Sequence, residues 1–372
     1  MQLVYRDYYP RLCMHHAPFG VADSQPRDRA AKQVKFGSSI RLDMIRPLAL
    51  SLLALLVQLT VSTLAEAQVT FIRSFGEAGD GPGQFYNPCS IAADSLGNVW
   101  VADSSNRRLQ EFSSTGQFIR SVGSWGVGDG FFIMPVGVAV DGGNNVWATD
   151  NYNDYFQQFD PTGSFVRRFG VEGINNAQLT FPQGITIDRE GNVLVSDWGS
   201  SRIEKFSPDG VFLQKIGGYG SGNGELFENY GVAVDLAGNI YAADWGNHRV
   251  VEFDGNGQFV RNIGTRGTGL GELESPCGLA VDPSGNIWVS DYANACIQQF
   301  TPNGVFLQQF GTYGSDQGQF HFPSGITIDN AGNLWVADVS NQRIQEFSIV
   351  PEPATLSLLA LAGSALLARR RR

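Results

Sequence analysis

Carboxylates recur at two fixed places in this chain. Asp94, Asp141, Asp188, Asp235, Asp282 and Asp329 are each 47 residues apart, and so are Asp103, Asp150, Asp197, Asp244, Asp291 and Asp338. Such a carboxylate can accept backbone N–H groups, pair with a cation or ligate a metal, and its neighbours decide which. The first set precedes turns rich in Gly and Asn, where an Asp side chain accepts main-chain N–H groups. The second set is followed five residues later by Arg in four copies, predicting the pairs Asp103–Arg108, Asp197–Arg202, Asp244–Arg249 and Asp338–Arg343. Tyr155 and Cys296 hold the Arg position in the other two copies, leaving Asp150 and Asp291 without that partner.

Other positions vary while this frame stays fixed, and a varying position is free to serve a ligand. The residue after the second aspartate reads Ser104, Asn151, Trp198, Trp245, Tyr292, Val339. A position in the Gly-rich connection reads Ala78, Trp125, Glu172, Tyr219, Arg266, Tyr313, and Tyr230 stands where Gln183 and Ser324 stand elsewhere. Trp125, Trp198, Tyr219, Tyr230, Trp245, Tyr292 and Tyr313 are candidate ligand contacts, since Tyr and Trp join a large apolar face to a polar tip. The competing role for each ring is loop packing. His248 follows Trp245 in the same loop and joins the candidates, whereas His321 reads as packing.

Enzymatic chemistry has thinner support. A zinc site needs several imidazoles or thiolates converging on one ion, and the repeats hold only His248 and His321, at different places in the unit. No Ser-His-Asp or phosphate-loop arrangement is visible. No cofactor is expected; a calcium site of carboxylate oxygens stays open because acids are numerous. Asp150 and Asp291 fall in the second and fifth copies, too far apart for one ion. Cys89 and Cys277 share one place in the first and fifth copies and are not expected to be adjacent, so no disulfide framework emerges.

The elements that position these residues follow from the period. Each unit contains four short β-branched and aromatic runs punctuated by Gly, Asn and Pro: CSIAAD (89–94), NVWVAD (98–103), RLQEF (108–112) and QFIRSVG (117–123) in the first. Four antiparallel strands per repeat, copied radially, make an all-β, six-bladed β-propeller. TFIRSFG (70–76) has the fourth-strand pattern but precedes the first complete unit, while the sixth unit stops after RIQEF (343–347). The N-terminal strand is therefore expected to complete the last blade and close the ring. Phe112, Phe159, Phe206, Phe253, Phe300 and Phe347 keep one phase and should be core. The connection after each second strand and the Gly-rich loop between units must open on one face, gathering the candidate aromatics.

The repeated FGxxGxGxGQFxxPxGIAVDxxGNxWVADxxNxRIQxF resembles the NHL repeat, over about 280 of the 372 residues. The resemblance implies a six-bladed propeller serving as a binding platform; in some relatives the fold carries a metal-dependent lyase or hydrolase site. The residues here favour the binding module over the enzyme.

Charge and the two ends bear on location. Residues 68–348 hold 14 Lys and Arg against 30 Asp and Glu, with no basic stripe for a phosphate backbone, which argues against nucleic acid. Before them, LALSLLALLVQLTVSTLA (48–65) follows Arg46 and precedes Ala65-Glu66-Ala67, the pattern of a signal peptide over 44–67 that starts at Met44. Residues 1–43 then form a polar extension from an upstream start; if Met1 is used, the apolar run is instead an uncleaved anchor. After the repeats, residues 349–372 place Pro351-Glu352-Pro353 before an apolar run at 354–368 and four arginines. That order resembles the PEP-CTERM sorting signal. It implies an exosortase and a signal peptidase as partners during export, transient membrane association through 354–368, and release to the cell surface or its matrix. A run of 15 residues makes a helix of about 22 Å, short of the roughly 30 Å hydrocarbon core. A plain tail anchor is the alternative. The expected ligand is a protein or a polysaccharide there.

Overall fold

Short strands with every residue apolar or small cannot be stable alone, and here they stack. The structure, a computed structural model, describes residues 69–349; the polar extension, the signal peptide and the sorting signal lie outside them. The described residues form six four-stranded antiparallel sheets. In the first blade strand a is Pro88–Ala93, b is Val99–Asp103, c is Arg108–Phe112 and d is Phe118–Val122. Four further blades repeat that order. In the sixth, Pro323–Ile328, Asn333–Asp338 and Arg343–Ser348 are joined by Thr70–Phe75, which pairs Thr70 with Ser348 and Phe75 with Ile344. The ring is closed by its N-terminal strand, as the sequence predicts.

The core lies between blades rather than within them. One cluster joins Trp100, Leu109 and Val122 of the first blade to Phe132, Val138 and Phe159 of the second. The same happens at each junction, including the seam, where Trp335 and Ile344 meet Phe85, Val99 and Phe112. Strand b is buried on both sides and therefore reads as a continuous apolar run, while outer strands such as Phe165–Phe169 alternate between half-buried and exposed. The six phenylalanines of the common phase are all 1–2% exposed.

At the axis the inner strands approach closely. A Cβ on Gly231 would collide with the Cys277 carbonyl of the next blade, and one on Gly278 with the Ser324 carbonyl. Glycine therefore holds this place in five blades. Ser90 holds it in the first, and its hydroxyl accepts the Val138 N–H across the junction at 3.2 Å. The inner strands enclose an axial cavity of about 240 Å³. Cys89 and Cys277 both line it as buried side chains. Burial pushes the Cys277 thiol up, and Cys89 adds to the effect. The two cysteines stand in blades that are not neighbours and form no disulfide.

The loops are held to this frame by buried polar groups. Asp103 Oδ1 accepts the Tyr86 N–H of the d–a loop at 2.7 Å, and Oδ2 accepts Asn106, Arg108 and Gln110. Gln110 then bridges the loop, its Oε1 accepting the Gly83 N–H and its Nε2 donating to the Gln84 carbonyl. Gln157, Gln298 and Gln345 do the same in their blades. In the third blade that place is Glu204, fully buried, with Arg202 Nη2 at 2.9 Å, Asp197 on the neighbouring strand and Lys215 opposite it. An ionised carboxylate cannot donate to a loop carbonyl, but a protonated one can. Burial pushes the Glu204 carboxyl up to about 7, with Asp197 adding to the rise and Arg202 opposing it.

Two predictions follow from closure and from this substitution. Deleting residues 69–75 removes the outer strand of the last blade together with the Arg73–Glu346 ion pair at 2.7 Å. The exposed edge should lower the melting temperature and cause self-association, measured by calorimetry and light scattering. Glu204 keeps its proton in the folded chain and loses it in the unfolded chain between about pH 4.5 and 7. The folded state then binds more protons, so its stability falls as pH rises through that window. Glu204→Gln should match wild type near pH 4 and exceed it by roughly 2–4 kcal/mol at pH 8; denaturant titrations at the two pH values measure the gap.

Candidate functional site

The b–c turns and the d–a loops open on one face because strands b and d both end there. They are also tied to each other. Asn106 Nδ2 donates to the Gly79 carbonyl at 2.8 Å, while Arg108 lies 2.8 Å from Asp103 and donates to the carbonyls of Asp80, Gly81 and Gln84. Arg202–Asp197, Arg249–Asp244 and Arg343–Asp338 also stand at 2.8 Å. In the second blade Tyr155 replaces the guanidinium, its hydroxyl donating to the Gly128 carbonyl while Arg168 covers its ring. Asp150 there accepts two backbone N–H groups, from Ile133 and Met134. In the fifth blade Cys296 offers nothing similar, and burial pushes the Asp291 carboxyl up to about 6.

On these braced loops the candidate aromatics separate into two groups. Trp125, Tyr219 and Tyr313 stand in the d–a loops of alternate blades, 71%, 76% and 69% exposed. Each loop is pinned by a bridge seven residues on, to Phe132, Leu226 and Phe320. Tyr219 leans its edge on Phe227, and Tyr313 on His321. This is an exposed rim on a rigid support. Trp198 and Trp245 instead begin tight 3₁₀ turns, Trp198–Ser200 and Trp245–Asn247, and are half-buried. Tyr292 stacks on Phe322 of the next blade at 4.6 Å. Tyr230 lies further in, on the wall of the axial cavity.

His248 has a different position from the rings. Its Nδ1 accepts the Ser275 N–H of the next blade at 3.1 Å and lies 3.5 Å from Glu274. Burial holds its pKa below the ordinary value, consistent with a neutral ring whose Nδ1 carries no proton. The same junction is made by Gln342 to Asn87, Asp154 to Phe181 and Ser201 to Glu228. Sequence reasoning missed this clasp because four unlike side chains perform it. It also missed Phe181 and Phe322, which support Trp198 and Tyr292; their clue was an aromatic at the start of strand a, where Asn87 and Ser275 stand in other blades.

The face is acidic. Glu77, Asp80, Asp129, Glu172, Glu225, Glu272 and Asp316 lie in the d–a loops against Arg266, which faces Glu274 at 3.3 Å. Burial raises Asp154 to about 6, with Glu172, Asp197 and Asp150 adding to it. Among the described residues no group of three or more His, Cys, Asp or Glu is placed to hold a metal ion.

The NHL repeat family model matches residues 85–112, 179–206, 273–300 and 320–347. NHL repeat-containing protein 3 of mouse and of human is 51% identical over 43 residues, which span 11% of this chain and 12% of each relative. Solved structures share the architecture at low identity. Virginiamycin B lyase from Staphylococcus aureus has a TM-score of 0.53 at 13% identity, over 76% of this chain and all of that one. A gluconolactonase from Xanthomonas campestris has 0.53 at 16%, over 72% and 87%. An auxiliary nutrient binding protein from Bacteroides thetaiotaomicron has 0.56 at 14%, over 75% and 76%. The chain is an all-β, six-bladed propeller, and four of its units match the NHL repeat.

Proposed function

We propose that this protein is an exported binding module of the bacterial cell surface or its exopolysaccharide matrix. It takes a protein or carbohydrate partner on the face that carries the loops. The observation that supports this most is the exposure of Trp125, Tyr219 and Tyr313 on loops fixed by buried hydrogen bonds. A large ring held in water by a rigid loop lowers the ordering cost of binding and acts as an anchor. The acidity of the face selects uncharged or basic partners over polyanions. Export rests on the signal-peptide and sorting patterns at the two ends of the sequence. Thr70 and Ser348 pair at the end of the last blade opposite the loops, so a tail tethered there leaves the aromatic face outward. The lyase and the lactonase share the fold alone at 13–16% identity, and their chemistry is not carried over.

The test uses the protein against immobilised dextran, alginate and polylysine as neutral, acidic and basic probes. Dextran or polylysine should bind and alginate should not. Replacing Trp125, Tyr219 and Tyr313 together by Ala should weaken that binding at least about tenfold, since an anchor contributes roughly 1–3 kcal/mol. The melting temperature should change little, because exposed rings support no core. Equal binding by the triple variant, or binding to alginate alone, would refute the assignment.

A further inference from the structure

Polar groups withdrawn from water are normally paired, and exceptions mark places where something is missing. Among the described residues, five such side chains share one ring of this molecule. The residue that follows the buried Asp of strand b is Ser104, Asn151, Trp198 and Trp245 in the first four blades. Ser104 and Asn151 are each 1% exposed. The Ser104 hydroxyl, both polar atoms of the Asn151 carboxamide, and the indole N–H groups of Trp198 and Trp245 have no hydrogen-bond partner and no contact with water. Asn229 adds a fifth side chain. It stands where the inner strand of the other five blades begins with Pro, pairs with Asp244 immediately before Trp245, and leaves its Oδ1 unpartnered in full burial.

These positions are not scattered. The turns at Ser104, Trp198 and Trp245 pack on the inner strands of their blades, and Asn229 directly precedes Tyr230, which lines the axial cavity. The fifth blade continues the ring with Tyr292 stacked on Phe322, and the sixth ends it with the buried Val339. Indole N–H groups only donate, the Asn229 oxygen only accepts, and the Ser and Asn151 side chains do both. A ligand that completes them must offer donors and acceptors at short intervals, as hydroxyl groups do. It must also be uncharged or nearly so. Asp103, Asp150, Asp197 and Asp244 lie one residue behind the ring, fully buried, and would repel an anion, while the ring itself carries no charge to match a cation. The faces of Trp198, Trp245 and Tyr292 suit the C–H face of a sugar ring.

We infer that the mouth of the propeller over blades one to four binds an uncharged saccharide, whose hydroxyls complete the hydrogen bonds left open by Ser104, Asn151, Trp198, Asn229 and Trp245. The inference rests on the reading that the loop face is the binding face, and it deepens that reading by naming the ligand and moving its recognition from the rim to the mouth. Binding requires the half-buried indoles to turn, which converts unsatisfied N–H groups into paired ones.

Neutral hexasaccharides of glucose, mannose and N-acetylglucosamine are the probes, with hexagalacturonate as the anionic control, followed by calorimetry and tryptophan fluorescence. One neutral oligosaccharide should bind at one site per chain and shift the emission; hexagalacturonate should not. Trp198→Phe with Trp245→Phe keeps two aromatic faces and removes both N–H groups, and should weaken that binding at least tenfold. Asn151→Leu should do likewise while holding or raising the melting temperature, because an orphaned carboxamide is removed. If these variants stay folded and bind as wild type, or if no neutral oligosaccharide binds, the mouth assignment fails. Should dextran or polylysine binding still depend on Trp125, Tyr219 and Tyr313, the loop face stands without the mouth. Loss of neither interaction in either set of variants would overturn both readings.

Discussion

The buried aspartate at the end of strand b is the interaction on which the rest depends. In every blade its carboxylate accepts the first N–H of the segment leading into strand a: Tyr86, Ile133, Thr180, Phe227, Glu274 and His321. Burial pushes the Asp103, Asp150, Asp197, Asp244 and Asp291 carboxyls up and disfavours their charge. The amide N–H groups, the Asn three residues on and the guanidinium offset that penalty, so a charge that is unfavourable in isolation becomes the point at which b–c turn, strand c and d–a loop meet. Removing one partner would leave a desolvated carboxylate, which is far more destabilising than the pair is stabilising. The loops of the functional face are therefore rigid for the same reason that the blades are separate units.

A second constraint acts at the axis. Inner strands pack backbone to backbone at Gly137, Gly184, Gly231, Gly278 and Gly325, which fixes blade spacing without side chains. Interblade apolar clusters then fill the widening wedge outward, from Val138 near the axis to Phe159 and Val122 further out. The clasp formed by His248, Asp154, Ser201 and Gln342 closes the same junctions from the loop side. Four of the six junctions thus have three layers of different chemistry: backbone contact, apolar packing and a single side chain to N–H bond. Only the middle layer is hydrophobic.

This layering explains what was legible in the sequence. Period and alternation expose strands, turns and closure, because the Asp, Gly and Phe phases are chemically identical in most copies. The Asp–Arg spacing exposed its pairs for the same reason. The clasp stayed hidden since Gln, Asp, Ser and His share only the ability to accept a hydrogen bond. The candidate aromatics were visible as a class, yet their exposure was not: Trp125 and Trp198 are the same residue in different loops, one in water and the other packed on Phe181 at 6.3 Å. Phase tells which loop a residue occupies, whereas exposure depends on what the neighbouring blade presents to it.

Departures from the common pattern gather on one side of the ring, and that asymmetry bears on function. A perfect six-fold propeller would offer six equal sites at its mouth and no preferred orientation for a ligand. Here Glu204 replaces a bridging Gln in the third blade, Asn229 replaces a Pro in the fourth, and the adjacent Trp198 and Trp245 occupy positions that are small or polar in the first two blades. The frame tolerates these changes because each Asp keeps its loop N–H partner and the axial glycines are untouched. Four local changes on two neighbouring blades place a carboxyl raised to about 7, an unpartnered carbonyl oxygen and two unpartnered indoles on the same sector of the loop face. Each is unfavourable for folding taken alone, since buried polar groups without partners destabilise the chain that holds them. Unpartnered groups also stand at Ser104 and Asn151 in the first two blades, so what distinguishes the third and fourth is the adjacent pair of indoles.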